Sequence, residues 1–220
     1  GNVVNNLLHL GVRTSYIGRV GDDAEGSVIE NMLLEAGAAV PCLLKSGVSS
    51  VKARLLGNGH QQMMRLDREE ISVPAVDECR LIMEKLACAL ADGVGAVVVS
   101  DYGKGLFKET LAQDIIALCN EHSVPVLVDP KGVQWERYAG AHCVTPNRAE
   151  FDIICGRDAN MPLDRETREK LASRVRDDYA IERLLITRGP KGMALFTPDM
   201  PPRYIPSVVR EVADVSGAGD

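Results

Sequence analysis

Apolar and polar positions divide the chain into a short mixed part and a longer regular part. In the first part, apolar spacing predicts helices at Asn2–Leu10 and about Glu25–Ala36, with a strand at Ser15–Val20 between them. In the second part, helical and strand-like patterns alternate. The expected helices are Val76–Ala91, Leu106–His122 and Asp164–Tyr179, and the expected strands are Ala96–Ser100, Val124–Val128, Cys143–Thr145 and Arg183–Thr187. Strands that are apolar throughout and separated by helices indicate a mainly parallel sheet covered on both faces.

Between these parts, two strand-like runs surround a turn signal. Val51–Leu56 and Gln61–Leu66 flank Gly57-Asn58-Gly59, and an Asn-Gly pair adopts positive φ at little cost. This pattern predicts a small antiparallel flap, at about residues 41–70, beside the main sheet. A surface hairpin without a function is the alternative. Exposed flap strands offer edges that a second subunit could cover, so we expect a homodimer through the flap.

The whole chain is interpreted as one α/β domain, a doubly wound mainly parallel sheet with helices on both faces and a small antiparallel flap. Its 220 residues suffice for one domain with a large core. The chain begins on Gly1 instead of Met and stops within Ser216-Gly217-Ala218-Gly219-Asp220, which resembles the turn into a further helix. We therefore expect the domain, residues 1–220, to be truncated at both ends.

Composition excludes several classes of protein. The net charge of −6 argues against a protein that binds nucleic-acid backbones, and 4% aromatic residues are too few for a base-stacking platform. No apolar run approaches the ~20 residues that span a bilayer, and no secretory signal opens the chain. The six cysteines and four histidines are scattered, without the clustering of a zinc site. We expect buried thiols in a reducing cytoplasm, with neither nucleic acid nor membrane as a partner.

Polar loops follow four successive predicted strands. Ligands bind beyond the carboxyl ends of the strands in an open parallel sheet, so these loops predict one crevice. Ordinary loops with helix caps are the alternative. The four loops are Asp101-Tyr102-Gly103-Lys104-Gly105, Asp129-Pro130-Lys131-Gly132, Pro146-Asn147-Arg148-Ala149-Glu150 and Arg188-Gly189-Pro190-Lys191-Gly192.

The last segment carries the most chemistry. Glycines in Ser216-Gly217-Ala218-Gly219-Asp220 let the backbone approach a phosphate, and successive N–H groups at a helix start bind anions. A carboxylate that ends such a turn can accept the proton of a hydroxyl attacking a γ-phosphate. The pattern differs from a P-loop and from a dinucleotide fingerprint.

These motifs together resemble the ribokinase-like carbohydrate kinase family over essentially the whole chain. Gly1-Asn2-Val3 and Gly21-Asp22-Asp23-x-x-Gly26 are similar to its sugar-binding glycine motifs, and Asp214–Asp220 is similar to its D-[TV]-[TS]-G-A-G-D signature. The sequences SDYGKG, DPKG-x-x-x-x-RY-x-GA, TPN-x-x-EF and RLDREE further resemble the D-glycero-β-D-manno-heptose 7-phosphate kinases. That resemblance implies ATP-dependent phosphorylation of the sugar phosphate to its 1,7-bisphosphate, on the route to the ADP-heptose of lipopolysaccharide core. Some of these kinases are fused to a nucleotidyltransferase domain.

The resemblance implies a role for each candidate residue. Asp220 would be the general base, with Gly217, Ala218 and Gly219 as anion-hole donors. Glu150 would meet Mg²⁺ through water. The residues implied on the ATP side are Asn147, Arg148, Ala149 and Glu150, and Lys131 and Arg188 are further candidates there, with Asp129 nearby. The candidates for the sugar phosphate are Asn2, Asp22, Arg54, Arg65, Asp101 and Lys104. Flap arginines that are solvated, or paired with Asp67 or Glu69, are the alternative.

Three other functions fit parts of the pattern. A kinase for ribose, fructose or a nucleoside would share the fold and would prefer an unphosphorylated sugar. A regulatory module would bind sugar or nucleotide without consuming ATP. A dinucleotide oxidoreductase is disfavoured because no glycine fingerprint follows an early strand.

Overall fold

A computed structural model describes residues 1–57, 62–158 and 163–208. The chain divides into two compact units: the first contains residues 1–57, 62–86 and Lys104–Leu106, and the second contains residues 87–103, 107–158 and 163–208. Two compact units can belong to one domain, so the single domain stays a prediction. None of the described helices has a stretch both long and apolar enough to cross a bilayer.

The first unit contains a parallel strand pair with helices and a separate hairpin. Its elements are α1 (Asn2–His9), β1 (Ser15–Val20), α2 (Ala24–Glu35), β2 (Ala39–Lys45), β3 (Val51–Leu56), β4 (Gln62–Arg68) and the start of α3 (Val76–Ala91). β1 pairs with β2 in parallel. The buried residues Val4, Leu33 and Ala38 form a core against which Leu8 and Tyr16 pack. Apolar residues one helical turn apart on α1 thus cover the strand pair.

The predicted flap is the antiparallel pair β3–β4. The register places Ala53 opposite Leu66 and Leu55 opposite Met64, so one face of the hairpin is apolar. Leu55, Met64 and Leu66 are 51–55% exposed. The turn residues Asn58 and Gly59 lie outside the described residues.

The second unit is built on a six-stranded sheet of order β10-β9-β8-β7-β6-β5. Its strands are β5 (Val97–Ser100), β6 (Val126–Asp129), β7 (Cys143–Val144), β8 (Arg183–Thr187), β9 (Met193–Phe196) and β10 (Arg203–Ile205). Its helices are α4 (Leu111–Glu121), α5 (Arg148–Ile154) and α6 (Arg165–Asp178), with 3₁₀ turns at Trp135–Tyr138 and Gly189–Lys191. β5 to β8 are parallel, while β9 and β10 are antiparallel. The α/β class with a mainly parallel sheet and a small antiparallel flap is confirmed.

Continuous apolar runs explain the parallel strands. Val126, Val128, Val144, Leu184 and Ile186 are each at most 1% exposed, as expected for strands covered on both faces. Helix α4 contributes an apolar stripe to the same core. Its buried residues are Leu111, Ala112, Ile115, Ile116 and Cys119.

Several predicted boundaries were wrong, each for a local reason. Helix α4 begins at Leu111 and not at Leu106, because residues 103–110 form turns and bends that end at the N-cap Thr110. Strand β6 begins at Val126 because Pro125 has no N–H to donate to a sheet. Sequence patterns also missed the short elements β2, α5, β9 and β10, none of which is longer than seven residues.

Candidate active site

The loops after β5, β6, β7 and β8 meet at one edge of the sheet. Asp101 follows β5 directly, and Asp129 ends β6 as the in-register neighbour of Ser100. Asn147 follows β7 and forms an isolated parallel bridge with Thr187, the last residue of β8. Because parallel strands end at the same edge, their polar loops lie side by side, where α/β sheets bind ligands.

Glu150 connects the first turn of α5 to the loop after β6. Its Oε2 accepts a hydrogen bond from the N–H of Asn147 at 3.0 Å, and Oδ1 of Asn147 accepts one from the N–H of Glu150 at 3.0 Å. This capping box starts the helix. Oε1 of Glu150 lies 3.0 Å from Nζ of Lys131, whose side chain is 54% exposed. A lysine ammonium therefore stands at the sheet edge beside a fixed carboxylate.

The remaining ATP-side candidates lie at the same edge. Arg148 and Ala149 occupy the exposed first turn of α5, and Nε of Arg148 lies 3.4 Å from the buried carboxylate of Asp152. Arg188 follows β8, with its guanidinium 5.4 Å from the ring centroid of Tyr204. Burial, followed by nearby arginine charges, lowers the pKa of Arg188 from its ordinary value. An anion at this edge would offset that concentration of positive charge.

Asp101 is held inside the second unit. Its side chain is 3% exposed, and Oδ1 accepts a hydrogen bond from the N–H of Gly103 at 2.7 Å. Oδ2 accepts one from the Tyr138 hydroxyl at 2.6 Å and lies 3.7 Å from the Arg137 guanidinium. The predicted contact of Asp101 with substrate stays a prediction. The observed bonds give Asp101 a structural role in the loop after β5.

The glycine turn of the first unit is organised by Asp23. One Asp23 carboxylate oxygen accepts a hydrogen bond from the N–H of Gly26 at 2.8 Å and caps α2, and the other accepts one from the N–H of Ser49 at 2.9 Å. A Cβ on Gly21 would lie 2.1 Å from the Ser49 nitrogen, and a Cβ on Gly26 would lie 2.1 Å from the Gly21 oxygen. Both positions therefore require glycine. The hydrogen bonds, led by that from the Ser49 N–H, lower the pKa of Asp23.

The predicted sugar-side residues of this unit are at its surface. Asp22 is exposed next to that turn, and its N–H donates to the Gly47 carbonyl at 3.2 Å. Asn2 is exposed at the first residue of α1. Nζ of Lys104 pairs with Glu69, and this hydrogen bond lowers the pKa of the Glu69 carboxyl.

The two flap arginines face each other. Arg54 on β3 lies directly opposite Arg65 on β4, and both are exposed. Nε of Arg65 lies 2.9 Å from Asp67. Like charges directly opposite each other destabilise a strand pair; Asp67 offsets the charge of Arg65, and a further anion beside Arg54 would be stabilising. The structure thus brings together two of the predicted substrate residues.

The predicted catalytic residues Asp220, Gly217, Ala218 and Gly219 lie outside the described residues. Their roles stay predictions that rest on sequence resemblance.

Comparison with known proteins decides the family. The family model described as "pfkB family carbohydrate kinase" matches residues 1–220, the whole chain. The chain belongs to the pfkB family of carbohydrate kinases. The membership expected from the glycine motifs is confirmed.

Curated relatives of this pfkB-family chain are similar over its full length. Bifunctional protein HldE of Haemophilus influenzae (strain KW20 / Rd) is 39% identical over 222 residues, and Bifunctional protein HldE of Methylobacillus flagellatus is 37% identical over 221 residues. Each comparison covers 100% of this chain and 44% of the relative. The chain therefore spans less than half the length of the curated relatives it matches.

A solved structure confirms the fold of the pfkB-family chain. Ribokinase from Arabidopsis thaliana, complexed with ribose and ATP, superposes with a TM-score of 0.74. The two sequences are 18% identical, and the match covers 99% of this chain and 69% of that chain. At this identity the likeness concerns the fold alone.

The donor atoms at the sheet edge fit a magnesium ion bound largely by water and phosphate. Mg²⁺ in phosphoryl-transfer sites usually binds one or two carboxylates together with waters and substrate phosphates. Residues 1–57, 62–158 and 163–208 contain no cluster of three or more His, Cys, Asp or Glu that could hold a metal. Glu150 and Asp129 supply carboxylates at this edge of the sheet.

Sequence reasoning missed Asp23, Ser49 and Tyr138 as residues that shape these loops. Asp23 carries a readable signal, because an Asp directly before a helical pattern is a typical N-cap. Ser49 carries none, and Tyr138 is visible only as part of the motif DPKG-x-x-x-x-RY-x-GA. Tyr138 bonds to a carboxylate 37 positions earlier, and no local spacing predicts such a contact.

Proposed function

We propose that this chain is the kinase part of an enzyme that transfers the γ-phosphoryl group of ATP to O1 of D-glycero-β-D-manno-heptose 7-phosphate. The product would be the 1,7-bisphosphate used for ADP-heptose and lipopolysaccharide core. The observation that carries the proposal is 37–39% identity to HldE proteins along the whole chain. Motifs such as SDYGKG and DPKG, which resemble those of heptose 7-phosphate kinases, support the same substrate. The proposed location is the cytoplasm, because the reaction needs ATP.

On the ATP side, the exposed Lys131 ammonium and the guanidinium groups of Arg148 and Arg188 supply positive charge for the phosphates. Asn147 and Glu150 are fixed by their capping box, so their positions are set before ATP binds. Glu150 would hold the waters of Mg²⁺. The ion, when bound, neutralises charge on the β- and γ-phosphate oxygens.

Asp220 is assigned as the general base. It would accept the proton of the O1 hydroxyl while O1 bonds to the γ-phosphorus and the bond to ADP breaks. The N–H groups of Gly217, Ala218 and Gly219 would stabilise the negative charge of the migrating group. These roles follow from the resemblance of Asp214–Asp220 to the family signature.

On the sugar side, Asn2, Asp22 and Lys104 are proposed to bind hydroxyl groups or the phosphate of the substrate. The opposed arginines Arg54 and Arg65 support an anionic substrate, because a phosphate beside them would relieve their mutual repulsion.

The flap is proposed to pair with a second copy of the chain. Leu55, Met64 and Leu66 lie on one face of the hairpin and are half exposed. Exposed apolar residues in a contiguous patch are typical of an interface. A second subunit would cover them and protect the strand edges.

A coupled assay of ADP release tests the function in the full-length protein. The substrates are heptose 7-phosphate, fructose 6-phosphate, fructose and ribose, at equal concentrations. We expect heptose 7-phosphate to have much the largest kcat/KM. Preference for an unphosphorylated sugar would exclude the heptose assignment, and nucleotide binding without ADP release on any sugar would favour the regulatory module.

A further inference from the structure

The hydroxyl of Tyr138 lies between the loops that follow β5 and β6. Tyr138 is 0% exposed and ends the 3₁₀ turn Trp135–Tyr138. Its hydroxyl donates to Oδ2 of Asp101 at 2.6 Å and accepts from the N–H of Lys131 at 3.2 Å. The Lys131 carbonyl, at 3.4 Å, is a more distant acceptor for the same proton. One hydroxyl therefore joins a buried carboxylate to the backbone of Lys131.

The second carboxylate oxygen of Asp101 bonds to a backbone N–H that lies next to the Lys131 side chain. Oδ1 holds the N–H of Gly103 at 2.7 Å, and Gly103 has a φ of 68°. A Cβ on Gly103 would lie 3.2 Å from Cγ of Lys131, so the lysine stem lies against the glycine backbone. Asp101 thus holds the Gly103 backbone, against which the aliphatic part of the Lys131 side chain lies. Through the Tyr138 hydroxyl it also holds the N–H of Lys131.

The Tyr138 hydroxyl is a permanent donor. Burial first, and then the hydrogen bond to Asp101, raises the pKa of Tyr138 above its ordinary value. The hydroxyl consequently stays protonated at neutral pH and can donate to Asp101. It also accepts from the backbone of Lys131, whose flexible side chain ends 3.0 Å from Glu150.

We propose that Tyr138 and Asp101 are positioning residues for Lys131, which keep its ammonium beside Glu150 to receive the phosphates of MgATP. The inference rests on the proposed function. It gives Asp101 a task on the nucleotide side instead of a direct contact with the sugar.

The substitution Tyr138→Phe removes the hydroxyl and keeps the ring. In the full-length protein, we expect the Kd of a non-hydrolysable MgATP analogue, measured by calorimetry, to rise about fivefold, as for the loss of one hydrogen bond. The KM for the sugar should stay unchanged. Tyr179→Phe is the matched control, because Tyr179 is partly buried and its hydroxyl has no hydrogen-bond partner among the described residues.

A double-mutant cycle tests whether Tyr138 acts through Lys131. In a Lys131→Gln background, Tyr138→Phe should weaken nucleotide binding no further, whereas an additive loss would overturn the inference. An unchanged Kd in Tyr138→Phe alone would also overturn it. If the wild-type protein binds no nucleotide, the proposed function itself fails, which is a separate result.

Asp101→Asn gives a second, independent variant. It keeps the side-chain volume and weakens the acceptor for Tyr138, so the inference predicts the same selective rise in nucleotide Kd. A rise in the sugar KM alone would assign Asp101 to the sugar and contradict the inference.

Melting curves and the emission of Trp135, which donates to the Gly132 carbonyl in the same loop, show whether each variant is folded. If Tyr138→Phe fails to fold, Asp101→Asn decides the question.

Discussion

Single side chains at the sheet edge can stabilise a helix end by a hydrogen bond and also supply a charge for ligand binding. Glu150 uses one oxygen to cap α5 and the other to pair with Lys131. A glutamine can make the same capping hydrogen bond, because the capping box accepts Glu or Gln at this position. Substitution can therefore separate the two contributions.

Glu150→Gln should leave the melting temperature nearly unchanged and weaken magnesium binding. The Mg²⁺ concentration for half-maximal activity should rise about 10- to 150-fold, since a hydrogen bond to a charged group contributes ~1.5–3 kcal/mol. The measurement is a magnesium titration at saturating ATP and sugar. Glu166→Gln is the control, because Glu166 is 78% exposed and pairs only with the exposed Lys170 among the described residues. An identical magnesium response in Glu150→Gln and wild type would remove Glu150 from the metal site.

Asp220→Asn should abolish most turnover and spare nucleotide binding. Loss of a general base typically reduces the rate ~10²–10⁴-fold. Stopped assays of ADP formation measure the rate, and calorimetry with a non-hydrolysable ATP analogue measures binding. Asp199→Asn, at an exposed loop position where Asn tolerates the positive φ of 56°, serves as the control. A near-normal rate in Asp220→Asn would disprove its role as base.

At the residue scale, the sequence identifies which side chains end at the sheet edge but not which of them bond to each other. Asp101 and Lys131 are visible because each follows an apolar strand. Their connection depends on Tyr138, which arrives from a 3₁₀ turn later in the chain. Such contacts are set by tertiary packing, and local patterns do not encode them.

At the scale of elements, the turn between β1 and α2 depends on two glycines without room for a side chain. The turn packs against the backbone at Ser49, and Asp23 holds both together. The sequence shows the glycines and the aspartates. It does not show that Asp23, besides capping α2, bonds to Ser49 while Asp22 stays exposed.

Gly26→Ala should destabilise the protein. The new Cβ would lie 2.1 Å from the Gly21 carbonyl oxygen. Overpacking of this kind costs about 1–3 kcal/mol, which for a chain of this size lowers the Tm by about 2–12 °C. Gly95→Ala, where a Cβ meets nothing within 4 Å, is the control for calorimetric melting. Equal melting of the two variants would show that the turn can adjust.

Long elements with strong periodicity were predictable, and short ones were not. The predicted bounds of β1, β3, α3 and β8 agree with the structure. Strand β2 contains Pro41, and β10 has three residues, so neither presents a clear strand pattern. Helix α5 has seven residues, fewer than the periodic signal of a helix needs.

At the scale of the whole molecule, the flap tests the proposed assembly. Leu55→Lys combined with Met64→Glu places two charges that can pair across the strands on the apolar face of the hairpin, and should convert a dimer into a monomer. Light scattering after size-exclusion chromatography measures the mass. Met32→Lys, an equivalent change at a residue that is 62% exposed on α2, should leave the dimer intact. A wild-type monomer, or a dimer that survives both flap substitutions, would contradict the proposal.

The family was predictable because its motifs are local: glycine turns and strand-end loops are short and keep their spacing. The choice of substrate depends on groups contributed by separated segments, and it is tested by chemistry on the full-length enzyme.

Phosphorus NMR of the product formed from heptose 7-phosphate and MgATP is the most direct test. The account predicts that the 7-phosphate signal persists while a second phosphate signal appears, coupled to the anomeric proton, with one ADP formed for each. A product without a second phosphate, or with that phosphate on a carbon other than C1, would contradict it.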